Sequence, residues 1–173
     1  MPTFNDLYWE QGGNPDLVDE SGWSETMGLQ YQRDFSNNKI DASLNLYNRH
    51  IDNWIVWVPL GAYYSPQNLS KVWSRGLENT WTWKWRKGAW SGQYQMQYNL
   101  TYSTNQRAKS ASDRTVGKQL IYVPRNQGRL SWQLQYKTWQ WSNIHTFQGK
   151  TYTLGDNTET LSGFYLSHFH VSK

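Results

Sequence analysis

Residues 92 to 104, GQYQMQYNLTYST, alternate with period two: Tyr94, Met96, Tyr98, Leu100 and Tyr102 interleave with Gln93, Gln95, Gln97, Asn99, Thr101 and Ser103. Successive side chains of an extended strand point to opposite faces. This stretch therefore has one apolar, aromatic face and one face of amides and hydroxyls, with no charge on either. The pattern recurs along most of the chain, and no segment carries an apolar stripe at helical spacing. The chain reads as all-β, an antiparallel up-and-down meander of about seven strands.

The predicted strands cover 26–35, then 39–50 continuing into 54–59, 71–85, 92–104, 128–137, 139–149 and 163–173. Their apolar faces are consistent from one to the next. Met27, Leu29, Tyr31 and Phe35 lead the first, and Ile40, Ala42, Leu44 and Leu46 the second. Leu77, Trp81, Trp83 and Trp85 follow in the third, and Leu130, Trp132, Leu134 and Tyr136 in the fifth. The sixth is less clean, because Asn143 and His145 share the face of Trp139, Trp141 and Phe147. The phase of the last strand is ambiguous.

Connections alternate in length. Residues 36–39, 86–90 and 137–139 read as tight turns, and 59–70, 105–127 and 150–162 as long links. Short turns at one end of a meander and long loops at the other are the arrangement of a transmembrane β-barrel. Tryptophan placement follows the same geometry. Trp83, Trp85, Trp90, Trp139 and Trp141 fall beside the tight turns, and Trp54 and Trp57 toward the long loops, as interface belts require. Lipid-facing positions are then Tyr94, Met96, Tyr98, Leu100, Leu130, Trp132 and Leu134.

Composition narrows the choice. Twelve Trp and twelve Tyr stand in 173 residues, yet the mean hydropathy is −0.87 and charged residues are only 17%. A soluble sandwich would have to interdigitate these large rings in a layer about 10 Å thick, whereas lipid imposes no such fit. The pattern favours the membrane barrel. A soluble antiparallel sandwich, acting as a carbohydrate-binding module through exposed aromatics, is the alternative.

The net charge of +4 is scattered through turns and loops, which gives no face for nucleic acid. Zero cysteines exclude disulfides and thiolate metal sites. No nucleotide-binding or nucleophile motif occurs and no acid/base pair can be placed, so no catalytic residue, cofactor or enzymatic activity is expected. His168 and His170 lie at i, i+2 without a third ligand tied to them, and no metal site is expected there. In the link 59–70, Tyr63 and Tyr64 are placed to stack on a bulky ligand; the same pair also fits an ordinary aromatic loop.

Several stretches are familiar in order and spacing: PTFNDLYWEQGGNPDL at 2–17, NLYNRHIDNWIVWVP at 45–59, NLSKVWSRGLENTWTW at 68–83, YVPRNQGRLSWQLQYKTWQWSNIHTFQGKTYT at 122–153 and LSGFYLSHFHVSK at 161–173. Together they resemble the barrel of TonB-dependent outer-membrane receptors, with the vitamin B12 (cobalamin) receptor branch nearest. The resemblance implies a bacterial outer-membrane location. It also implies a bulky nutrient such as cobalamin or a ferric siderophore, a plug within the barrel, and TonB as the energising partner.

On that reading residues 1–173 are an internal part of the barrel. The plug domain, N-terminal strands and closing C-terminal strands are expected to lie outside it, and the sheet is not expected to close alone. Its partners would be outer-membrane lipid, the remainder of the barrel and plug, TonB through other segments, and the nutrient.

Overall fold

Four two-residue hairpins set the architecture of the computed structural model. Their first residues all have positive φ: Ser36 (35°), Gly61 (69°), Gly88 (59°) and Lys137 (52°). That is the backbone sign that matches a tight turn to the right-handed twist of the strands it joins. The structure describes residues 1–108 and 111–173, and, at 69 and 70, the backbone alone.

A short helix, α1 (Phe4–Tyr8), is followed by β1 (Ser21–Phe35), β2 (Asn38–Leu60), β3 (Tyr63–Lys87), β4 (Trp90–Asn105), β5 (Asn126–Tyr136) and β6 (Trp139–Gln148). A small ribbon of β7 (Thr151–Tyr152) and β8 (Thr160–Leu161) lies in the last link before β9 (Phe164–Ser172). The main sheet has seven antiparallel strands in the order β1-β2-β3-β4-β5-β6-β9, so β1 and β9 are its edges.

Two differences from the sequence reading have local causes. Residues 59–70 form no long link: β2 and β3 run on as one long hairpin around Gly61 and Ala62, pairing Trp57 with Pro66 and Pro59 with Tyr64. Neither proline interrupts it, because this part of the hairpin projects past β1 and β4 and each strand there keeps a free edge. Helix α1 is too short for a periodic stripe, yet it has a capping box: Asp6 N donates to Thr3 Oγ1 (3.2 Å), and Thr3 N donates to Asp6 Oδ2 (2.8 Å). Of the link 105–127, positions 109 and 110 lie outside the described residues.

Register is unbroken across the sheet, so the alternation of each strand adds to that of its neighbours. One row joins Met27, Leu46, Leu77 and Leu100, and another joins Tyr31, Ala42, Trp81, Met96 and Leu130. Among the described residues no second layer covers this face. Trp81 is 49% exposed, Met96 44% and Leu130 42%, and the buried hydrophobic side chains among the described residues are Tyr47, Val72 and Leu120. Seven strands of contiguous exposed apolar surface far exceed what a soluble monomer shows to water.

Candidate functional site: an aromatic mouth above an amide-lined wall

Tyr94, Met96, Tyr98, Leu100, Leu130, Trp132 and Leu134 all lie on the apolar face. At the tight-turn end of that face the indoles form a girdle. Trp90 stacks on Tyr136 (4.4 Å between centroids) and neighbours Trp141 (6.3 Å), which neighbours Trp139 (6.3 Å). Trp83 stacks on Tyr94 at 5.5 Å and donates its indole N–H to Asn38 Oδ1 at 3.1 Å. Trp85 leaves no room for a side chain at Gly92, where an added Cβ would stand 2.5 Å from its Nε1.

From Trp85 to Arg75 a strand rising ~3.3 Å per residue and tilted ~40° climbs about 25 Å, the height of a barrel's apolar band. Trp54 and Trp57 lie beyond it on the projecting hairpin, where Trp57 Nε1 donates to Asp6 Oδ1 (2.9 Å). Two pairs of polar side chains within the band bond each other across β6 and β9. Ser167 Oγ donates to Asn143 Oδ1 at 3.1 Å, and His145 Nδ1 bonds the Tyr165 hydroxyl. Such internal pairing is what a medium without water demands.

The phase of β9 is settled by register: Tyr165, Ser167, Phe169 and Val171 share the apolar face, and His168 and His170 the opposite one. That opposite face carries Gln93, Gln95, Gln97, Gln133 and Gln135 with Glu78 and Lys84. No group of three or more metal-ligating side chains occurs among the described residues.

Toward the loop end the amide face closes into a buried polar knot. Tyr47, on β2, reaches across β3 to Thr101 Oγ1 on β4 (2.8 Å), and Ser74 Oγ meets Ser103 Oγ at 2.7 Å. Gln119 is 1% exposed. Its Oε1 accepts from Ser103 N, its Nε2 donates to the carbonyls of Thr101 and Val123, and its backbone is bracketed by Asn157. With the backbone bonds from Leu120 N to Ser103 O (2.7 Å) and from Asn105 N to Lys118 O (3.2 Å), this side chain holds the β4–β5 link onto the wall, and Asn157 ties in the β6–β9 link. Glutamine in a polar loop gives no sequence signal of such a role.

Exposed Tyr63 and Tyr64 begin β3 as consecutive strand residues, whose side chains point to opposite faces, and exposed Tyr122, from the β4–β5 link, interacts with Tyr64. Hydrogen bonding to Tyr64, with that phenol's charge when ionised, raises the Tyr122 phenol above its ordinary 10.0. Tyr122 holds φ at 57°, unusual for a bulky residue, and its N–H is anchored on Tyr152 O at 2.9 Å. The N-terminal segment supports the hairpin from one side: Asn14 Nδ2 donates to Pro66 O (3.0 Å), and Asn68 exchanges two bonds with Val18 (3.0 Å each). A cleft of about 240 Å³ opens between Val56, Val58 and Pro59 on the hairpin and Leu120, Ile121 and Leu154 on the links. The sequence singles out Tyr63 and Tyr64 as candidates and gives no signal at Tyr122, which sits amid polar loop residues with no periodicity around it.

An antiparallel wall with one aromatic-girdled apolar face, one amide face and loops gathered at one end defines a membrane-type β-barrel segment. The chain belongs to the TonB-dependent receptor family: its profile, described as "TonB dependent receptor-like, beta-barrel", matches residues 1–172. Vitamin B12 transporter BtuB of Photobacterium profundum is 28% identical over 172 residues, 95% of this chain and 25% of that protein. The BtuB of Vibrio vulnificus is 33% identical over 79 residues, 44% of this chain and 12% of that protein. The chain thus spans about a quarter of the longer-matching relative. In fold, it resembles the ferric yersiniabactin uptake receptor FyuA of Yersinia pestis, with a TM-score of 0.53, 17% identity, and coverage of 86% of this chain and 22% of that one.

Proposed function

We propose that this chain forms part of the wall and loops of an outer-membrane receptor that captures a bulky nutrient and admits it through the barrel. The observation that carries the reading is the pair of exposed phenols Tyr64 and Tyr122, with Tyr63 on the same hairpin, beside a buried polar knot at the loop end of an amide-rich wall. Flat phenol rings offer large contact area at low entropic cost, and each hydroxyl adds a hydrogen bond, which suits a ligand with a broad rigid surface. The 240 Å³ cleft beside them takes an edge of such a ligand, not the whole.

Cobalamin is the first candidate, because the two relatives carry that ligand in their names; a ferric siderophore is the second. The girdle Trp83, Trp85, Trp90, Trp139 and Trp141 would mark one membrane interface, and the face of Tyr94, Met96 and Leu130 would meet hydrocarbon. Trp54 and Trp57 stand beyond the opposite interface as hairpin supports. The chain's role is binding and passage, with no chemical step assigned to it. A plug, the rest of the barrel and TonB are the partners this role requires.

Binding of cyanocobalamin to the full-length protein carrying this chain tests the reading. Tyr64→Ala and Tyr122→Ala should each weaken it about tenfold, while Tyr31→Ala, remote from the mouth, should not. Should a ferric chelate compete and cobalamin not, the siderophore reading takes its place. Mouth variants that leave every ligand unaffected would remove the assignment.

A further inference from the structure

A continuous row of rings and cations begins on the apolar face at the loop end of its band and runs on to the residues flanking β5 and β7. Trp23 stacks on His50 (4.7 Å between centroids) and His50 on Trp73 (5.4 Å). Arg75 Cζ lies 3.7 Å from the centroid of Trp73 and 5.9 Å from that of Tyr102. Arg125 Cζ lies 5.2 Å from Tyr102 on the same terms and 5.9 Å from Tyr152, and Lys150 Nζ is 5.8 Å from Tyr152. The row thus draws on strands β1 to β4, on the residue preceding β5, and on β7 with the residue before it.

These cations lack acidic partners. Among the described residues the ion pairs are Lys39 with Asp41 and Lys71 with Asp52, which leaves Arg75, Arg125 and Lys150 with no carboxylate within 4 Å. Glu25 lies in the same row as Arg75 but two strands away, and it accepts from Asn48 Nδ2 at 3.3 Å. Arg125 Nε is buried with no hydrogen-bond partner. A buried charged donor left unpaired is costly, and a cation held between ring faces keeps its charge while losing water.

We propose that this row binds the phosphate-bearing headgroup of a membrane lipid, with Arg75 and Arg125 engaging the phosphate from either side of Tyr102. Position selects the lipid over other anions. The row Glu25, Asn48, Arg75 and Tyr102 lies one step beyond Met27, Leu46, Leu77 and Leu100, the last apolar row of the band. Acyl chains lying along Leu77 and Leu100 would bring their headgroup to the two guanidinium groups, whose planar forks suit phosphate oxygens. The proposal rests on the apolar face being the lipid-facing one.

The test uses the full-length protein carrying this chain, in dodecyl maltoside micelles, which carry no phosphate, doped with phosphatidic acid or with diacylglycerol, which differ by the phosphate alone. Retained lipid is counted by native mass spectrometry, and quenching of the girdle tryptophans by brominated lipid reports membrane contact separately. Wild type should prefer phosphatidic acid, and Arg75→Ala with Arg125→Ala should lower that preference roughly tenfold to thirtyfold with quenching unchanged.

Where the alanine pair fails to fold, Arg75→Lys with Arg125→Lys decides. A several-fold loss supports the guanidinium contact, and wild-type preference contradicts it. Equal retention of the two lipids by wild type overturns the proposal, as does displacement of phosphatidic acid by inorganic phosphate, which would make this a free-anion site. Absence of quenching in wild type would instead sink the membrane reading beneath it.

Discussion

Tyr47 lies across Gly76 and joins three strands: its ring occupies the space of the missing side chain and its hydroxyl stands 2.8 Å from Thr101 Oγ1. A Cβ at Gly76 would meet Tyr47 Oη at 2.6 Å and its Cζ at 2.8 Å, and would also press on the backbone oxygen of Leu100. Because Tyr47 is 9% exposed, neither partner can swing into solvent without opening the knot. Gly76→Ala should therefore cost about 1–3 kcal/mol through overpacking. Tyr47→Phe, which removes one hydroxyl, should cost about 1 kcal/mol. Denaturant titration in detergent would rank the two in that order.

Docking of the N-terminal segment should depend on acid. The Asp6 carboxyl is held below its ordinary 3.8, first by the Thr3 hydroxyl and then by the Thr3 N–H, against an opposing effect of burial, with the Trp57 indole adding the least. A carboxyl depressed in the folded state contributes its stability above pH 3.8 and loses it as pH falls through the depressed value. Exchange of the Trp57 indole N–H should accelerate across that acid window and stay slow above it. Asp6→Asn should abolish the acid dependence.

The phenol pair of the mouth should be visible by titration. With its hydrogen bond to Tyr64 intact, Tyr122 ionises above its ordinary 10.0. Replacing Tyr64 with Phe should return the slow-titrating phenol to the ordinary range in an ultraviolet difference titration. Retention of a late-ionising tyrosine in that variant would separate the two rings.

The two faces of β4 should respond oppositely to charge. Met96, paired with Trp81 and Leu130, lies mid-band on the apolar face, and Gln95, paired with Thr82 and Ser131, on the amide face. Met96→Arg should destabilise folding into lipid vesicles by about 2–4 kcal/mol. Gln95→Arg should stay within about 0.5 kcal/mol of wild type.

Much of this was readable from period-two alternation, because a strand with one apolar face fixes its own register against its neighbours. The faces of Tyr94 through Leu100 and the tight turns at Ser36, Gly88 and Lys137 follow from that alone. Other features depend on contacts between segments far apart in the chain. Residues 59–70 looked like a loop because Pro59, Pro66 and Gly61 carry turn signals; only a projecting hairpin with free edges accommodates them as strand. Tyr122, Gln119 and Arg125 act through partners on other links, and nothing local marks them. The mixed face of β6 became intelligible once β9 supplied Tyr165 and Ser167 as partners for His145 and Asn143.

Site-directed spin labelling along β4 tests the central claim most directly, since the chain contains no cysteine and each introduced label is unique within it. Labels would be placed one at a time at positions 93 to 100, with the full-length protein reconstituted in lipid. Labels at Tyr94, Met96, Tyr98 and Leu100 should then be accessible to oxygen and shielded from a water-soluble nickel chelate. Labels at Gln93, Gln95, Gln97 and Asn99 should be shielded from oxygen dissolved in the bilayer. If the nickel chelate reaches the aromatic positions as readily as the amide ones, that face meets water and the membrane-wall account is wrong.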